Sequence, residues 1–221
     1  MPSRFPGAAP GSATVLNLRR PKLSPAWWQS FSDTAAAAPA AARPLRLAPT
    51  REIAQHLTYA FAAADGAVGA HCIHELWMRR DLFTNIDALL EQLWKRAAKS
   101  IPSWLPMRDV DWLPLAYEVA ARFQASGRGR SNIYLVLLDY RDSRDEPFAV
   151  YVGMSHYSPE QRFDQHKAGI RAAGCVLRRG LEVLTGPTAH LRNIRRRDAA
   201  RIEVELAEAL QEAGLFVQGG H

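Results

Sequence analysis

Apolar positions recur at helical spacing through the first half of the chain and in short unbroken runs beyond it, so the hydrophobic period itself divides the sequence. Ile53, Leu57, Ala60 and Phe61 fall on one stripe between Thr50 and Asp65-Gly66, which predicts a helix over about 50–64. The apolar stretch His71–Leu82 has no decisive period. Ile86, Leu89, Leu90, Leu93, Trp94 and Ala97 share a face and predict a helix over 86–100, and after Pro102 and Pro106 a further helix is expected over 112–125. Gly127-Arg128-Gly129-Arg130 reads as a hinge. Past it, the β-rich runs Ile133–Leu138 and Phe148–Val152 flank the charged, turn-forming Asp139–Pro147, the pattern of a β-hairpin with a long loop. Ser158, Pro159 and Gln161 then announce a capped helix, on which Arg162 and His166 stand four residues apart and share a face. Ala199, Ile202, Leu206, Ala209, Leu210 and Ala213 line the apolar stripe of a last helix, stopped by Gly214.

Composition changes this picture at the start of the chain. Residues 1–49 are rich in Pro, Ala and Ser, with A-A-A-A-P-A-A-A-R-P at 35–44, and are expected to be disordered. Trp27-Trp28 interrupts that segment and reads as a short docking element, with stacking on nucleic-acid bases as the other reading. The expected layout is therefore a disordered segment over 1–49, a helical domain over 50–126 and an α/β domain over 131–221.

Charge points in the same direction as the C-terminal pattern. The chain carries a net +6 with a pI near 9.7, which suits a polyanionic partner. Between Ala168 and Arg201 eight arginines stand against Glu182 and Asp198, a local excess as large as that of the whole chain. Arg192-Asn193-Ile194-Arg195-Arg196-Arg197 is the first candidate for contact with phosphates, joined by Arg171, Arg178 and Arg179. A solvated helix start is the other account of that cluster. Cys72 and Cys175 lack disulfide-framework or metal-ligand spacing, which predicts a reduced, cytoplasmic protein. The start of the chain lacks the apolar core of a signal peptide, and no run is long enough for a membrane span. His71-Cys72-Ile73-His74-Glu75 gathers potential zinc ligands, but the second ligand pair such a site needs does not follow, so core packing is expected there.

Asn132-Ile133-Tyr134, Tyr151-Val152-Gly153, Arg162 with His166, and Glu203 on the last helix occur in the order found in the GIY-YIG nuclease family, which the chain resembles over 132–221. The resemblance implies an α+β protein whose C-terminal part is a small domain with a central antiparallel sheet flanked by helices. It implies a metal-dependent endonuclease that hydrolyses phosphodiester bonds in nucleic acid, with DNA the expected substrate and one Mg²⁺ or Mn²⁺ as cofactor. Tyr134 or Tyr151 would orient or deprotonate the attacking water, Arg162 would grip the phosphate in a bidentate fork, and His166 would assist proton transfer or hold a phosphate oxygen. Glu203 would be the metal ligand. On the predicted helix it lies roughly 60° from the centre of the apolar stripe, against about 100° for Glu205. Two positions depart from the family pattern. Asn132 stands where Gly is usual, and the closing Asn is missing, leaving Gln218 or His221 as its replacement. Two other classes stay open: an inactive nucleic-acid-binding module on the same fold, and a protein-interaction scaffold.

Overall fold

The structure is a computed structural model and describes residues 26–80, 84–126 and 128–219. Its N-terminal half is helical: α1 (Ala26–Ala35), α2 (Thr50–Ala63), α3 (Gly66–Met78), α4 (Ile86–Ala97) and α5 (Leu113–Ala120). Local chemistry starts two of these helices. Asp65 accepts the Val68 N–H at 3.0 Å to cap α3, and Asn85 accepts the Ala88 N–H at 3.0 Å to cap α4. Helix α3 is buried continuously from Gly66 to Trp77. A helix packed on all sides needs no polar face, which is why its sequence shows no decisive period. The buried carboxylate of α3, Glu75, is held by Arg43 and Arg79, each at 2.9 Å.

Part of the segment expected to be disordered is folded. Helix α1 lies against α3, Ser32 donates to Asp65 at 2.5 Å, and Ala35, Ala40 and Leu45 are buried. Composition misleads here because small alanines fill narrow gaps between helices, where burial per residue is low but fit is close. Residues 1–25 lie outside the described part. Trp27-Trp28 fall within α1.

The second half is built on a sheet: β1 (Arg128–Asp139), β2 (Phe148–Ser155), β3 (Gly180–Leu184) and β4 (Val217–Gly219), in the order β3-β1-β2-β4. Helices α6 (Pro159–Lys167), α7 (Gly174–Arg179) and α8 (Arg196–Glu212) flank it. The hairpin pairs β1 with β2 antiparallel, Tyr134 opposite Gly153 and Val136 opposite Tyr151. The sheet is mixed rather than antiparallel throughout, because the chain returns from α8 to lay β4 parallel to β2. The expected hinge is also absent as such. Arg128–Arg130 belong to β1, and both Arg128 and Ser131 bridge to Ile194.

The two faces of the sheet carry different cargo. Ile133, Leu135, Leu137, Val150 and Val152 face α8, whose Ala199, Ile202, Leu206 and Leu210 are fully buried. That core continues without a break into the helical half. Thr185 donates to the Ser103 carbonyl at 3.0 Å, the Met107 N–H donates to Glu182 at 3.1 Å, and α5 lies along α8. Tyr134, Val136, Leu138, Ala149 and Tyr151 face the other way, towards Phe163 of α6 and Val176 of α7. Covered on both sides, β1 reads as the unbroken run I-Y-L-V-L-L.

Candidate active site

The register fixes the first pair of candidates. Tyr134 and Tyr151 sit on neighbouring strands and share a sheet face, with ring centroids 6.0 Å apart. Gly153 makes that approach possible. A Cβ at position 153 would lie 2.6 Å from Tyr151 Cε1 and 2.7 Å from both Cζ and Oη of Tyr134, closer than carbon atoms tolerate. Gly153 is therefore an interior strand residue that leaves room for two rings, not merely the end of a strand.

Helix α6 adds the next two. Its start is fixed by a full capping box, in which Ser158 accepts the Gln161 N–H at 3.2 Å and Gln161 accepts the Ser158 N–H at 3.3 Å. One turn further, His166 points its Nε2 at the Tyr134 hydroxyl, 3.0 Å away, while its Nδ1 accepts the Ala173 N–H at 2.9 Å. An Nδ1 that accepts carries no proton, so the imidazole proton sits on Nε2 and is donated to Tyr134. Burial, with the Arg162 charge as a smaller contribution, lowers the His166 pKa to about 4. The ring is neutral at pH 7. At 1 % exposure the ring is out of contact with solvent, engaged by Tyr134 and Ala173.

The two phenols, alike in sequence, are unlike in place. Tyr134 is 1 % exposed, and burial drives its pKa far above the usual phenol range, with the neighbouring Tyr151 acting in the same direction. Tyr151 is half-buried. Burial raises its pKa too, but the Tyr134 hydroxyl pulls it down, the Glu203 and Cys175 charges raise it and the Arg162 charge lowers it. Tyr134 holds its proton, and Tyr151 is the phenol that a bound molecule can meet.

Arg162 is half-buried and bonded to the turn that follows its own helix. Its Nη1 donates to Gln165 Oε1 and to the Ile170 carbonyl, each at 3.1 Å, and its Nη2 donates to the Arg171 carbonyl at 2.8 Å. The free bidentate fork expected from the sequence is thus engaged. What the residue gives the site is a fixed positive charge beside both phenols. Glu203 projects from α8 to the end of β2, where its Oε1 accepts the Met154 N–H at 2.9 Å, and its charge is felt at Tyr151. Glu205 turns the other way and pairs with Arg201 at 2.5 Å.

The closing position is half answered. Gln218 stands in register with Tyr151 across the parallel β2–β4 pair and so lies on the same face. His221 falls outside the described residues. The arginines separate into classes. Arg179 is bound to Asp142 at 2.6 Å and to the Asp139 carbonyl at 2.8 Å, so its guanidinium is already engaged. Arg192 stands 3.5 Å from Glu160. Arg171, Arg178, Arg195, Arg196 and Arg197 are exposed.

Asn132, which stands where the resembled family usually has Gly, is a clamp. Its Nδ2 donates to the Tyr157 carbonyl at 2.9 Å, and its Oδ1 accepts the Asn193 N–H at 3.0 Å, tying β1 to the turns before α6 and α8. No local signal in the sequence announces it, because both partners lie far along the chain.

A single divalent cation is the group to test against these residues. Among the described residues no three or more His, Cys, Asp or Glu side chains gather as a ligand set. Glu203 offers one carboxylate oriented by its bond to Met154, and one carboxylate completed by waters is an ordinary Mg²⁺ arrangement. The donor chemistry fits. Comparison of the chain with protein-family models, curated proteins and solved structures gave no match. No helix among the described residues is long and apolar enough to cross a membrane.

Proposed function

We propose that the chain is a metal-dependent endonuclease that hydrolyses phosphodiester bonds in DNA through a GIY-YIG-like site. The observation that carries this reading is the convergence of Tyr134, Tyr151 and His166 on one sheet face, with the Arg162 charge beside both phenols and the Glu203 carboxylate felt at Tyr151. A basic chain whose arginines are concentrated between Ala168 and Arg201 supplies the attraction for a polyanion.

Each residue has a separable task. His166, neutral and fixed by Ala173, sets the Tyr134 hydroxyl by donating to it. Tyr134 in turn favours ionisation or hydrogen-bond acceptance at Tyr151, which orients the attacking water. Arg162 stabilises charge that develops on the phosphate. Glu203, with Gln218 on the Tyr151 strand pair, would hold Mg²⁺ or Mn²⁺, which when bound supplies positive charge at the leaving oxygen.

The test is cleavage of supercoiled plasmid with Mg²⁺. Glu203→Gln keeps the acceptor for the Met154 N–H while removing the negative charge, and should abolish cleavage with DNA retention and thermal midpoint unchanged. Glu205→Gln, which loses only a surface pair, should cleave at the parent rate. Arg162→Ala should lose roughly 10²–10³ in rate. Wild-type rates in both Glu203→Gln and Arg162→Ala would remove this mechanism.

A further inference from the structure

We propose that Arg128 and Arg130, together with Arg195, Arg196 and Arg197, form one preformed ridge that binds the phosphate backbone of the nucleic acid. The inference rests on the nucleic-acid reading of the neighbouring site and extends it to residues that sequence placed in a hinge.

The β1 extension is laid directly along the arginine segment. Arg128 and Ser131 both bridge to Ile194, and the Gly129 N–H donates to the Asn193 carbonyl at 2.8 Å. A Cβ at Gly129 would meet the Ile194 carbonyl oxygen at 2.2 Å and Arg195 Cα at 2.7 Å, so only glycine allows this approach. The backbone that carries Arg128 and Arg130 therefore lies directly beside the one that carries Arg195. All five arginines are exposed, and among the described residues none has an ion-pair partner. Five exposed cations on two adjoining backbone segments suit a line of phosphates.

The ridge is also held rigidly with respect to the site. Asn132 binds the Asn193 N–H and the Tyr157 carbonyl, one residue before the cap of α6. Arg196 begins α8 and stands seven residues before Glu203. Seven residues make nearly two turns, so the two side chains share a helix face about 10 Å apart along the axis. A backbone lying on the ridge would run towards Glu203. Because the contacts are to phosphates, they should be indifferent to sequence.

The experiment is fluorescence anisotropy with a short mixed-sequence DNA duplex in EDTA, titrated at several salt concentrations. No cleavage is needed, so an inactive enzyme and an absent ridge give different results. Arg128→Ala/Arg130→Ala should weaken binding at least about tenfold near 50 mM salt and reduce the slope of log K against log salt by about one to two. Arg195→Ala/Arg196→Ala/Arg197→Ala should do the same or more. Arg96→Ala/Arg141→Ala removes equal charge elsewhere and should leave the slope unchanged. An unaltered slope in the Arg128/Arg130 variant with an unaltered thermal midpoint would overturn the ridge. So would an equal loss in the charge-matched control, or no retention of the duplex by the parent protein at low salt. Should the alanine pair lower the midpoint, Arg128→Gln/Arg130→Gln answers the same question with side-chain bulk retained.

Discussion

His166 donates its Nε2 proton to the Tyr134 hydroxyl across 3.0 Å, at a point where neither side chain has appreciable contact with solvent. That bond ranks the two tyrosines: Tyr134 is a fixed proton holder behind the site, and Tyr151 is its working surface. Tyr151→Phe should lower the cleavage rate by about 10² or more, the loss typical of a positioned proton-transfer group. Tyr134→Phe should lose less rate and more stability. It strands a buried imidazole N–H, at a cost of about 1–3 kcal/mol. Plasmid cleavage and urea melts of the two variants check this, and the reverse ranking would put the water at Tyr134.

Gly153 is the spacer between those rings. In Gly153→Ala the added methyl would press on Tyr151 Cε1 and on Tyr134 Cζ and Oη together, with the rest of Tyr134 already packed in the core. Overpacking of this kind costs about 1–3 kcal/mol. The variant should melt earlier and cleave poorly even though no polar group has been touched. A Gly153→Ala protein with parent stability would show that the rings have room the structure does not give them.

The features legible in sequence were those set by near neighbours. The hairpin from Ile133 to Val152, the cap at Ser158, the face shared by Arg162 and His166, and the stripe of α8 all depend on residues a few positions apart. Features set by distant partners were not legible. Helix α3 hides its period because α1, α2 and α4 surround it, and Ala35 and Ala40 are core residues only because a helix lies over them. Gly153 and Asn132 take their meaning from Tyr134, Tyr157 and Asn193 across the fold. The bonds of Arg162 to the Arg171 carbonyl and of Arg179 to Asp142 were not legible either, because nothing in the sequence announces those partners.

Stability should fall on mild acidification. Burial lowers the pKa of His74 and of His166 to about 4 in the folded protein, against 6.5 for a free imidazole. From pH 6.5 down to 4 the unfolded chain takes up those protons first, so each group destabilises the fold progressively, by on the order of 3 kcal/mol at the limit. His56 and His71 shift in the same direction. Asp109 acts oppositely. Burial and the charges of Asp87 and Asp111 raise its pKa to about 6, so below pH 6 its protonation relieves the folded state. Urea midpoints should drop between pH 7.5 and 4.5, and Asp109→Asn should raise the midpoint at pH 7.5 and steepen the drop. A flat profile in the Asp109→Asn variant, where the opposing group is gone, would mean that the imidazoles are charged in the fold.

The contact between Tyr117 and Gly186 tests whether the helical half and the sheet unfold together. Tyr117 lies on α5, and its buried hydroxyl has no hydrogen-bond partner among the described residues. Gly186 follows β3 on the other side of the shared core, and a Cβ there would sit 1.7 Å from that hydroxyl oxygen. Tyr117→Phe removes a desolvated group that makes no bond, so stability should stay level or rise by up to about 1–2 kcal/mol. Gly186→Ala in the parent chain should destabilise through the clash. In the Tyr117→Phe background the same change loses its nearest collision, and the two effects should fail to add by about 0.5–3 kcal/mol. Additive effects in a urea double-mutant cycle would show that this contact does not couple the halves, and two separate unfolding transitions would show that they do not unfold together.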